Sequence, residues 1–194
     1  NFRRELLDEL KNQGYKLILL STKDESFPLI EEYFIETETL FLIRGSENVI
    51  LELITFFHIL YMYIKYRPIL VHHFTIKPCI YGGFIANLLG IKAVINHITG
   101  LGPSFFTSRR KIKFLNKILH PFYKYSFNNS KAINIFHNES DKTTFQKKKL
   151  TISQKSYLIK GSGVNTSYFK NTSNKIKFSK KVQILFPARL IKEK

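Results

Sequence analysis

Short, almost unbroken apolar runs alternate with helical stretches along this chain, and few folds accommodate that alternation. Tyr15 to Ser21, Ile69-Leu70-Val71-His72-His73-Phe74, Lys92 to Ile98 and Ala132 to Phe136 each read as a strand. Runs without polar alternation belong to strands covered on both faces, the habit of parallel sheets. Between them the apolar residues move to a period near 3.6. Phe2 to Leu10 puts Phe2, Leu6, Leu7 and Leu10 on one helical face and ends at Gly14. Asn48 to Tyr66 predicts a long apolar helix stopped by Pro68, and Ile80 to Leu89 a second one closed by Gly90. Pro28 to Tyr33 and Thr39 to Ile43 form a weaker helix–strand pair. Arg109 to Phe127 is helical with a break expected at Pro121, Ser140 to Lys147 a short helix, and Tyr157 to Ile159 a further strand. Strands joined by helices of this length predict an α/β fold with a doubly wound parallel sheet. Lys170 to Lys181 reads as a polar linker, and Val182 to Phe186 opens another strand.

Composition removes several alternatives. With 44% apolar residues among 194, this is not a disordered basic tail. A single cysteine, Cys79, excludes a disulfide framework and a cysteine-rich zinc site and suits a reducing cytoplasm. No uncharged apolar run reaches the roughly 18–20 residues of a membrane span. The chain opens on Asn1 without the pattern of a signal peptide. The net charge of +17 is uneven: residues 1–75 carry 8 Lys/Arg against 11 Asp/Glu, residues 76–194 carry 23 against 3. A bias toward Lys follows from an AT-rich coding sequence, but the loss of acids after Glu52 does not. A one-sided basic field selects anionic partners: phosphates, nucleic acid or an anionic membrane surface.

Ligands of parallel α/β sheets sit at the carboxyl ends of the strands, which directs attention to the loops there. In His72-His73-Phe74-Thr75-Ile76-Lys77-Pro78 the two histidines face opposite sides of a strand, which argues against a metal pair. Thr75 and Lys77 share a face beyond the strand end and suit an anionic or hydroxylated ligand. His97-Ile98-Thr99-Gly100-Leu101-Gly102-Pro103 has two glycines that allow a close backbone approach, without a dinucleotide or phosphate-loop pattern. Arg109, Arg110, Lys111, Lys113 and Lys117 flank an apolar stripe, as in a helix lying on an anionic bilayer. Asn138 follows a strand and either caps the next helix or lines the cleft. Ser162 sits in a flexible strand-end loop. Arg189 and Lys194 are two cations after a strand, suited to a diphosphate.

In this order the segments resemble the retaining glycosyltransferases of family four, which have two Rossmann-like domains in the GT-B arrangement. The resemblance runs through Phe2-Arg3, Gly14-Tyr15, Arg44 with Asn48, His72 with Thr75-Ile76-Lys77-Pro78, Tyr81-Gly82 and Val94-Ile95-Asn96. It continues through Thr99-Gly100-Leu101-Gly102, Phe136-His137-Asn138 with Asp141, Gly161-Ser162-Gly163-Val164 with Phe169, and Ala188-Arg189-Leu190 with Lys194. The branch it is most similar to adds sugars to lipid-diphosphate-linked glycans of capsule, O-antigen and related polysaccharides, including galactosyl- and N-acetylgalactosaminyl-type transferases.

The resemblance implies that residues 1–178 are an acceptor-binding domain lacking its first strand, and that 179–194 begin a truncated donor-binding domain. Arg189 and Lys194 would contact the donor diphosphate. Thr75, Lys77, Gly100, Gly102, Asn138 and Ser162 would line the acceptor side. Many family members have a His where this chain has Thr99, so that catalytic His is not carried over; the catalytic residue stays open, with Thr99 and His97, two residues earlier on the same strand face, as candidates. The implied substrates are a nucleotide-sugar and a lipid-linked glycan, with no metal or other cofactor and no nucleic acid. The implied location is cytoplasmic, peripheral on the inner face of the plasma membrane. As given, the chain would be a fragment inactive alone. Two alternatives are another GT-B enzyme, such as a nucleotide-sugar epimerase, and a basic nucleic-acid-binding module.

Overall fold

A computed structural model describes residues 3–23, 31–42, 48–101 and 110–170, with the backbone alone over 110–118. The strand expected at Val182–Phe186, the expected boundary at 178, and Gly102, Arg109, Arg189 and Lys194 lie outside these residues. Among the described residues the order is α1 (Arg4–Asn12), β1 (Ile18–Ser21), β2 (Glu36–Thr39), α2 (Val49–Tyr66), β3 (Leu70–Phe74) and α3 (Ile76–Leu88). There follow β4 (Ala93–Ile98), α4 (Arg110–Phe127), β5 (Ala132–Phe136), α5 (Glu139–Lys147), a 3-10 turn at Ser153–Lys155 and β6 (Ser156–Leu158).

All pairings are parallel, as the apolar runs require, but the strands form two sheets. β1 pairs with β2, and β3, β4, β5 and β6 follow one another in a four-stranded sheet. Two compact units are separated between Gly163 and Val164. In the second, the described residues form a turn in which the Asn165 side chain accepts from the Ser167 and Tyr168 amides at 3.0 and 3.1 Å.

Three local expectations change. β2 is the polar Glu36–Thr39 and not Thr39–Ile43, because register with β1 pairs Ile18 with Glu36 and Ser21 with Thr39. Leu40 just beyond it is buried against Ile59 and Ile85. α3 starts at Ile76, four residues before the predicted Ile80. Pro78 belongs in its first turn, where an N–H would have no intrahelical acceptor anyway. α4 runs through Pro121 without ending. The cost there is one helical hydrogen bond, and the preceding His120 imidazole bonds the Lys148 carbonyl at 2.8 Å.

α2 has the predicted limits for local reasons. Asn48 caps it by accepting from the Ile50 amide at 3.0 Å, and Arg67 leaves it at φ 44° just before Pro68. One face of the four-stranded sheet meets α3, α4 and α5 around Cys79, Ile98, Phe127, Phe136 and Phe145, all fully buried. Each such phenylalanine contributes on the order of 1.5–3 kcal/mol by leaving water. A polar seam crosses the same face. The Tyr63 hydroxyl lies 2.6 Å from His73 Nε2, and His73 Nδ1 lies 2.8 Å from Asn96 Oδ1. Asn96 Nδ2 donates to Asn134 Oδ1 at 3.0 Å, and Asn134 Nδ2 donates to the Phe127 carbonyl and the Thr151 hydroxyl.

The orientation of Asn96 decides the rest. With its amide nitrogen committed to Asn134, its oxygen must receive a proton from His73 Nδ1, leaving His73 Nε2 to accept from Tyr63. Ser156 donates to the Ile152 carbonyl at 2.7 Å, so Thr151 donates to Ser156. α3 approaches this seam through Gly82, where an added Cβ would fall 2.4 Å from His73 Nε2. Only glycine fits there.

Candidate functional site at the carboxyl edge of the sheet

The opposite face of β3 and β4 presents His72 and His97, and the residue after β5 is His137. Register explains the gathering: Phe74 pairs with His97, His72 with Ile95, and Ile98 with Phe136. The three imidazoles therefore step diagonally across three strands. His72 stacks on His97 with ring centroids 5.7 Å apart, and His97 meets His137 edge-on at 4.7 Å. The Nε2 atoms of His97 and His137 are 2.7 Å apart, so one carries the hydrogen and the other accepts it. Phe74 stacks on His72 at 4.1 Å, and the Arg3 guanidinium lies 3.8 Å over the Phe74 ring.

This cluster is electrostatically one-sided. Burial, then the neighbouring His97, His73 and Arg3, push His72 down to about 3. Burial, then His137 and Arg3, push His97 down to about 4. His137 is lowered by burial and by Arg3. All three are neutral at pH 7, and each keeps both a donor and an acceptor nitrogen. His72 Nε2 and His97 Nδ1 have no hydrogen-bond partner among the described residues. Whichever way the His97–His137 proton sits, His97 Nδ1 is left as a donor or an acceptor. Such a pair of groups suits hydroxyls. No group of three or more His, Cys, Asp or Glu among the described residues is arranged to hold a metal ion.

The residues expected at this edge divide. Thr75, between β3 and α3, sits at φ 72°, its amide donating to the His97 carbonyl at 3.1 Å. Thr99 and Gly100 are half-buried where β4 ends. Lys77 does not point its charge at a ligand as expected: it forms an ion pair with Glu52 at 2.5 Å, and Tyr81 donates to the other oxygen of that carboxylate. Its place in the first turn of α3 turns it toward α2. Asn138 is likewise committed, capping α5 by accepting from the Asp141 amide at 2.8 Å and donating to the Asp141 carboxylate at 3.0 Å. A cap satisfies an orphan helical N–H, which is why this role prevails over the cleft. Ser162 is exposed in its loop.

Arg3, His72 and His137 were not singled out as site residues from sequence. Their signal was present: a histidine at or near the carboxyl end of each of three successive parallel strands brings the rings to one edge. Arg3 is distant in sequence, and no periodicity announces it.

A parallel α/β domain with helices beginning at the ligand-binding edge belongs to the Rossmann-like class. The family model for glycosyl transferase 4-like domains matches residues 2–138, which span α1 to the end of β5 and include Arg3 and all three histidines. The chain belongs to that glycosyl transferase 4-like family, whose members act on a sugar donor and an acceptor. No curated protein matches it.

Proposed function

We propose that this chain is the acceptor-binding part of a retaining glycosyltransferase that moves a sugar from a nucleotide-sugar to a lipid-linked glycan in cell-surface polysaccharide synthesis. The observation that carries the reading is the neutral histidine cluster beside Arg3, within the family-matching residues and at the edge where such sheets bind ligands. Neutral imidazoles exchange hydrogen bonds with sugar hydroxyls without a desolvated charge of their own, and the guanidinium supplies a cation for an acceptor diphosphate. His97 is the residue we place nearest the reacting groups, with Thr99 and Gly100 beside it. Gly102 and Ser162 complete the acceptor side in this reading, but Lys77 and Asn138 do not.

Arg189 and Lys194 are proposed to hold the donor diphosphate, offsetting negative charge on the departing nucleotide. A donor-binding domain opening near Val182 would contain them. The reading needs no metal or other cofactor and no nucleic acid. It places the protein in the cytoplasm on the inner face of the plasma membrane, with Arg109, Arg110, Lys111, Lys113 and Lys117 toward anionic lipid.

The test incubates the protein carrying this chain with a panel of radiolabelled nucleotide-sugars and a membrane lipid extract. Label in the organic phase, released by mild acid, is the expected result. Label recovered as an epimerised nucleotide-sugar would favour the epimerase alternative and overturn the transferase reading.

A further inference from the structure

α2 is apolar on the side that packs and also on the side that does not. Thr55, Ile59 and Met62 are buried under it. On the opposite side Ile50, Leu53, Ile54, Phe57, Tyr61 and Ile64 are 47–68% exposed. At 3.6 residues per turn they fall within an arc of about 100°. The helix is 18 residues long with a mean hydropathy of 1.4, enough to cross a membrane by length and composition, yet only 17% of it is buried. Spanning is blocked by its commitments to the domain: Ile59 is packed with Leu40 and Ile85, and Glu52 holds Lys77 and Tyr81. An exposed apolar strip of this size marks an interaction surface.

The charges beside it indicate the partner. The connection leading into each strand of the four-stranded sheet carries a cation and no acid: Arg67 before β3, Lys92 before β4, Lys131 before β5 and, with Lys148 and Lys149 earlier in the same connection, Lys155 before β6. Lys131 reaches the Gly90 carbonyl and Lys155 the Asn129 carbonyl, both at 3.2 Å, which ties the loops into one row. A hollow of about 380 Å³ joins row to strip, since Ile64 lines it together with Arg67, Ile69, Leu89 and Lys92. The nearby acids Glu36 and Glu38 are engaged by Tyr66, and Glu38 also by Lys65. A second copy packed on this strip would bring like cations together, whereas an anionic bilayer would neutralise them.

We propose that the outer face of α2, with the Arg67–Lys92–Lys131–Lys155 row, lies flat on an anionic membrane surface. This rests on the membrane location of the proposed function and adds a second element to the α4 proposed there; the cation row stands at the amino ends of the strands, the edge opposite the histidine cluster. Ile54, Phe57 and Tyr61 enter the acyl boundary while the cations meet phosphates.

The sequence has no tryptophan, so Phe57→Trp introduces a sole reporter. The chain is mixed with vesicles of phosphatidylcholine alone or with phosphatidylglycerol, free of any glycolipid, so the outcome is independent of transferase activity. The expected result is a blue-shifted indole, quenched by brominated acyl chains, in the anionic vesicles. Adding Tyr61→Glu should weaken partitioning roughly tenfold, and Arg67→Glu with Lys92→Glu should remove the preference for anionic lipid. Circular dichroism of each variant, and loss of sedimentation of the unsubstituted chain with anionic vesicles at rising salt, separate binding from folding. Sedimentation with vesicles while the indole is neither shifted nor quenched would put the contact elsewhere and overturn the proposal, leaving the transferase reading intact. A lipid-independent blue shift that grows with protein concentration would overturn it in favour of a second copy.

Discussion

His72 and His73 are neighbours in sequence, yet the two faces of the sheet give them different chemistry. His73 sits in a closed seam, its two nitrogens taken by Tyr63 and Asn96, and the chain of donors continues through Asn134 to Thr151 and Ser156. His72 belongs to an open cluster in which its own Nε2 and the Nδ1 of His97 lack partners among the described residues. Period-two alternation separates the faces, and the number of committed nitrogens separates their roles. Buried polar groups that are all paired hold a unique core, whereas the unpaired ones of the other face are those we propose to meet substrate.

The largest expected effect of breaking this contrast is on the closed face. Asn96→Leu would leave the His73 Nδ1–H and the Asn134 carbonyl oxygen unpaired in the core, for a loss of about 3–4 kcal/mol in urea unfolding. Gly82→Ala follows, forcing His73 from its place at a cost of about 3 kcal/mol; an unchanged midpoint would mean that α3 yields easily.

Acid comes next. Burial holds His73 at about 4, with the hydrogen bond to Asn96 opposing it, below the ordinary value of 6.5. The unfolded chain therefore binds more protons than the folded one between those values, so stability is full above pH 6.5 and falls as pH drops. From pH 7 to 5 His73 alone would cost about 2 kcal/mol. His72 adds to this, and the more exposed His97 adds less. Urea midpoints across that range would show the slope, and His73→Gln should flatten it.

The smallest effect on stability belongs to the open face. His97→Ala should change the unfolding free energy by less than about 1 kcal/mol, because it removes no satisfied buried bond except that to His137. Its effect should fall on transfer.

Much of the fold was legible because strand and helix periods differ and because Asn48, Pro68 and Gly90 mark boundaries by local chemistry. β2 was misplaced because a Glu-Thr alternation carries no hydrophobic signal, and only pairing with β1 makes it a strand. The site was half legible. The strand ends that hold the proposed site, with His97 among them, could be read; Lys77 looked available, and Asn138 was open to both a cap and a cleft role with the cap favoured. Their commitments, to Glu52 25 residues away and to the α5 amides, depend on packing and capping geometry. Gly82 fits the same account: its need for glycine comes from a ring on another element.

The central claim is that the open cluster handles substrate. Sugar transfer by the protein carrying this chain, measured for wild type and His97→Ala alongside thermal melts, tests it most directly. The account predicts at least a roughly tenfold fall in kcat/KM, equivalent to about 1.4 kcal/mol of transition-state stabilisation, with the melting temperature nearly unchanged. Full transfer by His97→Ala at wild-type stability would contradict it.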